Sequence, residues 1–248
     1  MRYVFWDPEV ESYTYQVANV WEYCRFLGRI LGTEPQQIQI WLDEAMGDPY
    51  LTRDRGFHWS SKRRMPLGNR LMWYAIARAL KPRVIVEAGV HEGLSSEMFL
   101  VAMKRNAEEG RPGRLISFDI HEDTGWLVHP DLRSAGNWQL ELEPTNTGLS
   151  RVLQGIEVDI FLHETLHIDE QIRIELDAVL PHAAPRLAVI DSSGSTTSTL
   201  RQFCERLQTP YHYFLDEPRD HIVRSHGMGL ALLDRNKIHQ QERMTEAA

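Results

Sequence analysis

The feature that most constrains the fold of this chain is an apolar segment that ends in glycine and leads directly into a helix. Residues 84–88 read V-I-V-E-A, glycines follow at Gly89 and Gly93, and Ser95 and Ser96 open an apolar helical pattern. A strand that turns tightly on glycine into a helix is a typical unit of a parallel sheet. The segment therefore favours an α/β fold.

From residue 66 onward, strand patterns alternate with helical patterns along the chain. This alternation is typical of a mainly parallel sheet with helices on both faces. The last two strand patterns have no helical pattern between them, which favours an antiparallel strand at one edge. We therefore predict a seven-stranded sheet with strands at 84–89, 114–120, 137–144, 158–164, 186–191, 211–217 and 228–234.

The first part of the chain is predicted to be a separate helical unit. Residues 17–32 and 33–47 carry apolar residues at helical spacing and end in glycine. We interpret residues 1–65 as an N-terminal helical cap, residues 66–236 as the ligand-binding domain, and residues 237–248 as a polar tail.

The acidic composition argues against a nucleic-acid partner. The chain has 35 acidic and 27 basic residues, a net charge of −8, whereas phosphate backbones attract positive surfaces.

Acidic residues near the start argue against a signal peptide, and no apolar run approaches the roughly 20 residues of a membrane span. Cys24 and Cys204 both lie in helical patterns and are expected to be buried free thiols. We therefore predict a cytoplasmic protein without a membrane partner.

Carboxylates are predicted at the tips of the first two parallel strands, where ligands bind in open sheets. Glu87 ends the first strand and Asp119 ends the second. The glycine spacing departs from the dinucleotide fingerprint, and a carboxylate beside the turn suits a cationic ligand better than a pyrophosphate. Asp119 could accept the two hydroxyls of a ribose. The alternatives are a turn without ligand at Glu87 and a capping residue at Asp119.

These segments together resemble a known enzyme family. The sequence is similar to class I S-adenosylmethionine-dependent methyltransferases in MPLGNRLMWYAIARALKPRVIVEAGVHEGLSS, LISFDI, VDIFLHETLHIDEQIRIELDAVLPH and RLAVIDSS. The similarity covers about residues 65–235. It is closest to the small-molecule branch that includes antibiotic-tailoring and catechol-type O-methyltransferases. The resemblance implies a Rossmann-like fold and S-adenosylmethionine as cofactor.

The resemblance also implies roles for particular residues. Asp119 would hold the ribose, and the segment from His163 to His167 would face both cofactor and acceptor. Asp191, at the end of the fifth strand, would lie near the acceptor or a metal. The cofactor-binding residues implied in this way are Glu87, Gly89, His91, Gly93, Ser95, Ser96, Asp119 and His163.

The implied reaction moves a methyl group to a hydroxyl of a small-molecule acceptor, a secondary metabolite or a sugar, as in natural product biosynthesis. The acceptor must lose one proton, and a neutral imidazole accepts protons near pH 7. We therefore predict His167 as the general base. Glu164 is predicted to orient His167 or the substrate, and Asp191 to be a second base or a metal ligand.

Three questions stay open at this point. Metal-dependent family members usually carry an aspartate at the position of His163 and an acidic or amide residue after Asp191, where this chain has Ser192. The resemblance therefore leaves a divalent metal undecided. A cofactor-binding protein without turnover is an alternative function, and a homo-oligomer is an open alternative for the assembly.

Residues 163–167, H-E-T-L-H, also match the zinc-hydrolase pattern H-E-x-x-H. In that interpretation both histidines lie one helical turn apart and bind zinc, while Glu164 activates water. The apolar strand pattern that runs directly into His163 argues against it, because the motif then spans a strand-to-helix turn. A third interpretation makes His163 and His167 structural residues at a strand end and a helix cap.

Overall fold

The computed structural model describes residues 4–7, 12–17, 20–53, 68–192, 198–216 and 227–246. Nine strands within these ranges form one mixed sheet. Its strands are β1 (Val4–Asp7), β2 (Ser12–Val17), β3 (Val84–Ala88), β4 (Arg114–Asp119), β5 (Trp138–Leu142), β6 (Val158–His163), β7 (Ala183–Asp191), β8 (Tyr211–Asp216) and β9 (Met228–Asp234).

The predicted seven-stranded sheet is confirmed. Strands β3 to β9 lie in the order β8-β9-β7-β6-β3-β4-β5. The five strands from β7 to β5 are parallel to one another, and β9 is antiparallel to both β7 and β8. From β3, the chain continues to β4 and β5 on one side and then crosses to β6 and β7 on the other side. Open α/β sheets bind ligands at such a switch point.

The sheet also contains a hairpin that the sequence analysis did not predict. Strands β1 and β2 pair with each other in antiparallel fashion, and β2 runs parallel to β8, which extends the described sheet to nine strands. Residues 12–17 read S-Y-T-Y-Q-V, an alternation rich in aromatic and β-branched residues. The prediction of a helical cap for residues 1–65 therefore missed this opening strand pair.

Helices cover both faces of the sheet, as predicted. They are α1 (Val20–Leu31), α2 (Pro35–Gly47), α3 (Pro49–Thr52), α4 (Gly68–Leu80), α5 (Leu94–Glu108), α6 (Pro130–Ser134), α7 (Thr145–Val152), α8 (Asp169–Val179), α9 (Thr199–Arg206) and α10 (Arg235–Glu246), with a short 3₁₀ turn at Leu180–His182. None of the helices within the described ranges is long and apolar enough to cross a membrane.

Two apolar cores stabilise this arrangement. On one face, α1 and α2 share a core with α4 and α5, in which Leu27, Leu42, Tyr74 and Phe99 are buried. The N-terminal helices therefore pack directly onto the sheet domain. Cys24 lies in this core and Cys204 in the second one, and both are free thiols, as predicted.

The second core lies between the sheet and α7, α8, α9 and α10. It includes Phe161 of β6, Ile172 and Leu176 of α8, and Ile238 of α10. The chain after Asn236, which the sequence analysis interpreted as a polar tail, is thus helical over most of its length. Burial of Ile238 against the sheet accounts for this, because it anchors the first turn of α10.

Candidate functional site

The carboxyl ends of β3, β4, β6 and β7 bring the predicted site residues to one edge of the sheet. The register of β3 and β6 pairs Ala88 with His163, and the register of β6 and β7 pairs His163 with Asp191. Glu87 and Asp119 stand at the ends of β3 and β4. The structure therefore gathers these residues at the switch point of the sheet.

Glu87 is completely buried at the end of β3. Its Oε2 atom accepts hydrogen bonds from Ser96 Oγ and Ser117 Oγ, both at 2.6 Å. Its Oε1 atom is buried and has no hydrogen-bond partner within the described part of the chain. Burial raises the pKa of Glu87 to about 7, although the hydrogen bonds from Ser117 and Ser96 act in the opposite direction. The free oxygen is a ready acceptor for a ligand that carries a donor group.

Ser117 is a residue of the candidate site that was not predicted from the sequence. It lies in the middle of β4, and besides bonding to Glu87 it accepts a hydrogen bond from Trp138 Nε1 at 2.9 Å. A single small polar residue inside the strand pattern L-I-S-F-D was the available signal. Because Glu87 and Ser117 are paired in the β3–β4 register, the hydroxyl lies directly beside the carboxylate.

The turn after β3 is held tightly against the end of β6. Gly89 has φ +89°, a conformation that favours glycine. A Cβ atom at this position would collide with the carbonyl oxygen of Glu164. Glu164 N in turn donates to Ala88 O at 2.8 Å. The backbone of Glu164, rather than a ligand, thus lies against the Cα of Gly89.

Asp119 organises the same turn. Its Oδ2 atom accepts hydrogen bonds from Val90 N, His91 N and Thr124 Oγ1, and its Oδ1 atom accepts one from His121 N. Burial alone would raise the pKa of this carboxyl, but the backbone donors outweigh that effect and lower it. Asp119 is therefore an ionised acceptor, and Oδ1 accepts a single hydrogen bond within the described chain.

Three large apolar side chains stand exposed around Asp119. Ile120 follows it directly and is 64% exposed, Leu142 is its partner on β5 and is 49% exposed, and Trp126 is 47% exposed. Trp126 also makes an edge contact with the exposed ring of His91, whose φ is +49°. The surface beside Asp119 is therefore largely apolar.

His163, predicted as a cofactor-binding residue, forms a buried ion pair. Its Nδ1 atom lies 2.6 Å from Glu175 Oε2, and both side chains are completely inaccessible to solvent. Glu175 was not predicted as a site residue. Its position on α8, between the buried residues Ile172, Leu176 and Val179, was the available signal, because helical spacing places all four on one face.

The segment between β6 and α8 is not helical. Residues 164–168 lie outside both elements, and α8 begins at Asp169. His163 is buried and His167 is exposed, with ring centroids 6.1 Å apart and the planes nearly perpendicular. The zinc-hydrolase interpretation is therefore wrong, because it requires both histidines on one helix. Within the described residues, no three His, Cys, Asp or Glu side chains are grouped so as to hold a metal ion.

The three predicted catalytic residues differ in their surroundings. Asp191 is buried at the end of β7, and Glu164 is half-buried with an Oε2 atom that is enclosed and unpaired in the described structure. His167 lies at the outer edge of the site. The structure thus brings Glu164 and Asp191 close to His163 and leaves His167 accessible.

A family profile for a methyltransferase domain matches residues 86–209, half of the 248-residue chain. The chain belongs to the methyltransferase family. S-adenosylmethionine, the cofactor expected from the sequence, is the methyl donor of this class. No curated protein sequence matches the methyltransferase significantly.

Several solved structures share the fold of this chain. A putative O-methyltransferase from Klebsiella pneumoniae is 13% identical, with a TM-score of 0.53, and the match covers 85% of this chain and 95% of that one. An O-methyltransferase from Bacillus cereus in complex with SAH is 12% identical, with a TM-score of 0.52 and coverage of 85% and 96%. A cofactor-bound protein from MTB is 16% identical, with a TM-score of 0.54 and coverage of 88% and 98%. At these identities, the comparison shows the fold.

Replacing Gly89 with alanine is expected to destabilise the methyltransferase strongly. The variant must accommodate both a strained backbone, worth about 1–2 kcal/mol, and a collision with the Glu164 carbonyl group. Gly32→Ala is the matched control, because Gly32 also has a positive φ, of +68°, but open space around its Cβ position. Thermal unfolding should show that Gly89→Ala loses at least roughly 2 kcal/mol more than Gly32→Ala. Equal losses would contradict the close contact.

Proposed function

We propose that this methyltransferase transfers the methyl group of S-adenosylmethionine to a hydroxyl group of a small molecule. The observation that carries the proposal is the free Oε1 atom of Glu87, buried at the tip of β3 beside the ionised Asp119 at the tip of β4. These acceptors suit the ammonium group and the ribose of one nucleoside. The names of the similar structures from Klebsiella pneumoniae and Bacillus cereus support oxygen as the methyl acceptor.

The donor is placed by three neighbouring features. Its ammonium group binds between Glu87 Oε1 and Glu164 Oε2, the two buried carboxylate oxygens without partners in the described structure. Its ribose hydroxyls bind Asp119, and its adenine lies on the patch formed by Ile120 and Leu142. Held in this way, the donor would present its methyl group toward the ends of β6 and β7, where the acceptor would bind.

The acceptor side contains the groups for proton removal. His167 is accessible and accepts the proton of the acceptor hydroxyl, while Asp191 and the other oxygen of Glu164, Oε1, orient the substrate. Tight positioning of donor and acceptor supplies much of the rate acceleration, because methyl transfer is an in-line displacement.

We infer that the acceptor is a secondary metabolite or a sugar and that the enzyme works in the cytoplasm. The net charge of −8 disfavours nucleic acid as substrate.

Binding of the cofactor product S-adenosylhomocysteine (SAH) should weaken in mild acid. Glu87 has a pKa of about 7 in the ligand-free protein, and only its carboxylate form pairs with the ammonium group. Between about pH 7.5 and pH 6, the affinity should fall roughly fivefold to tenfold. Calorimetry near pH 7 should also show proton release on binding, visible as a dependence of the heat on buffer ionisation. An affinity that is constant over this range would contradict the assignment.

Methyl transfer is tested by incubating the protein with radiolabelled S-adenosylmethionine and a panel of phenols, benzyl alcohols and monosaccharides. Transfer to at least one hydroxyl is expected. His167→Gln should lower the rate about 10²- to 10⁴-fold, the contribution of a general base. His182→Gln, in the 3₁₀ turn before β7, should leave the rate unchanged. SAH binding without transfer to any hydroxyl compound would instead support a cofactor-binding protein without turnover.

A further inference from the structure

The His163–Glu175 ion pair lies at the acceptor end of the site and has no role in the mechanism above. Both side chains are fully buried, and the Nδ1–Oε2 distance is 2.6 Å. Removing two charges from water is costly, so a buried pair needs further hydrogen bonds to persist. Such bonds are present on the glutamate.

Glu175 is saturated with donors. Its Oε1 atom accepts hydrogen bonds from Thr145 Oγ1, Thr165 Oγ1 and Gln171 Nε2 at 2.7–2.8 Å. With His163 on the other oxygen, four donors hold the carboxyl group in its ionised form. Burial alone would raise the pKa of Glu175, but these donors, led by His163, lower it. An ionised Glu175 keeps a proton on Nδ1 of His163.

Further carboxylates surround the His163 ring. Asp191 lies beside it in the β6–β7 register, and Glu164 follows it in the chain. The exposed ring of His167 packs against it, and Ala88 of β3 is its neutral neighbour on the other side. Burial alone would lower the pKa of His163, but Glu175, Asp191 and Glu164 outweigh it and raise the pKa. The buried ion pair with Glu175 therefore favours the imidazolium form of the ring.

The second nitrogen of this imidazolium has nothing to bind. Nε2 is buried and has no hydrogen-bond partner within the described ranges of the chain. A buried N–H group without an acceptor is costly, and a charged one more so. Such a group, at the end of a strand that borders the site, points to an oxygen atom of a ligand.

We propose that protonated His163 donates its Nε2–H to the acceptor oxygen and stabilises the negative charge that develops there. The proposal rests on the proposed function, and it gives the two histidines of residues 163–167 different roles. His163 is the electrophilic group, charged by Glu175. His167, accessible and 6.1 Å away between ring centroids, is the base.

The step balances without a further reactant. The O–H bond of the acceptor breaks and its proton passes to His167. A lone pair of the oxygen forms the O–C bond as the C–S bond of the donor breaks, and that electron pair stays on sulfur. His163 keeps both of its protons throughout, so its contribution is electrostatic, like that of an oxyanion-hole donor.

The charge of His163 is tested by nitrogen NMR of the full-length protein labelled with ¹⁵N-histidine, with SAH bound. Both ring nitrogens of His163 should be protonated at neutral pH. Glu175→Gln should lower the pH at which the second proton is lost by at least about one unit. Glu170→Gln, an exposed position on the same helix, should not change it. A wild-type ring with bare Nε2 at neutral pH overturns the proposal, even if the Glu175 variant fails to fold.

The contact with the acceptor is tested with His163→Gln in the radiolabel assay. Its turnover on the hydroxyl compounds that the wild type methylates should fall about 100- to 1,000-fold, because an uncharged amide replaces the charged donor. Its affinity for SAH should stay unchanged, which separates this effect from a folding defect. Unchanged turnover overturns the proposal. Wild-type protein that binds SAH and methylates nothing would overturn the proposed function instead, and the NMR result would still stand on its own.

Discussion

Glu87→Gln is expected to abolish most of the affinity for SAH. The substitution keeps the size of the side chain and an oxygen for Ser96 and Ser117, but removes the charge that faces the ligand's ammonium group. Truncating one partner of a buried charge pair costs about 2–4 kcal/mol, or roughly 30- to 1,000-fold in affinity. Isothermal titration calorimetry at about pH 7.5 measures the loss. Glu92→Gln, which removes the same charge from the same loop, should bind SAH as the wild type does.

The same variant should be more stable than the wild type at high pH. The pKa of Glu87 in the folded protein, about 7, lies above the ordinary value of 4.5. The folded protein thus holds this proton more tightly than the unfolded chain, and the resulting stabilisation is lost as pH rises through about 7. As pH rises from about 5 to about 8, the free energy of unfolding of the wild type should fall by about 2–3 kcal/mol relative to that of Glu87→Gln. Thermal unfolding of both proteins measures this difference. A variant that is less stable at every pH would contradict the cost of the buried carboxylate.

Asp119→Asn is expected to impair both the turn and nucleoside binding. The carboxylate accepts from two successive backbone N–H groups, Val90 and His91, and from Thr124 on one oxygen. An asparagine has only one acceptor oxygen, so either these bonds or the bond from His121 to the other oxygen is lost. With the ribose contact also weakened, we expect SAH affinity to fall roughly 30- to 150-fold, about 2–3 kcal/mol.

Asp123→Asn is the control for this substitution. Asp123 lies four residues later, is exposed, and carries the same charge. Calorimetry should therefore show near wild-type affinity for Asp123→Asn. Equal losses in both variants would mean that net charge near the site, rather than the position of Asp119, determines binding.

The alternating strands and helices of the sheet domain could be predicted from the sequence. Strands such as V-I-V-E-A and L-I-S-F-D are short apolar runs between helical patterns, so seven strands and the positions of Glu87 and Asp119 at strand ends followed from periodicity. The β1–β2 pair was missed because an edge hairpin depends on pairing with β8, nearly 200 residues away in the chain.

The interior of the site was harder to predict because its contacts join distant elements. His163 and Glu175 are 12 residues apart, and only the packing of α8 onto the end of β6 brings them to 2.6 Å. The hydrogen bonds from Ser117 and Trp138 to the Glu87 cluster likewise require the strand register of β3, β4 and β5. A sequence pattern assigns residues to faces and ends, but such registers and docking distances follow only from the folded chain.

A crystal structure of the protein with SAH bound would test the central claim most directly. The account predicts the ligand's ammonium nitrogen within hydrogen-bond distance, about 3 Å, of Glu87 Oε1, and its ribose hydroxyls against Asp119. A nucleoside bound away from the tips of β3 and β4, or one with its two ends reversed, would contradict it.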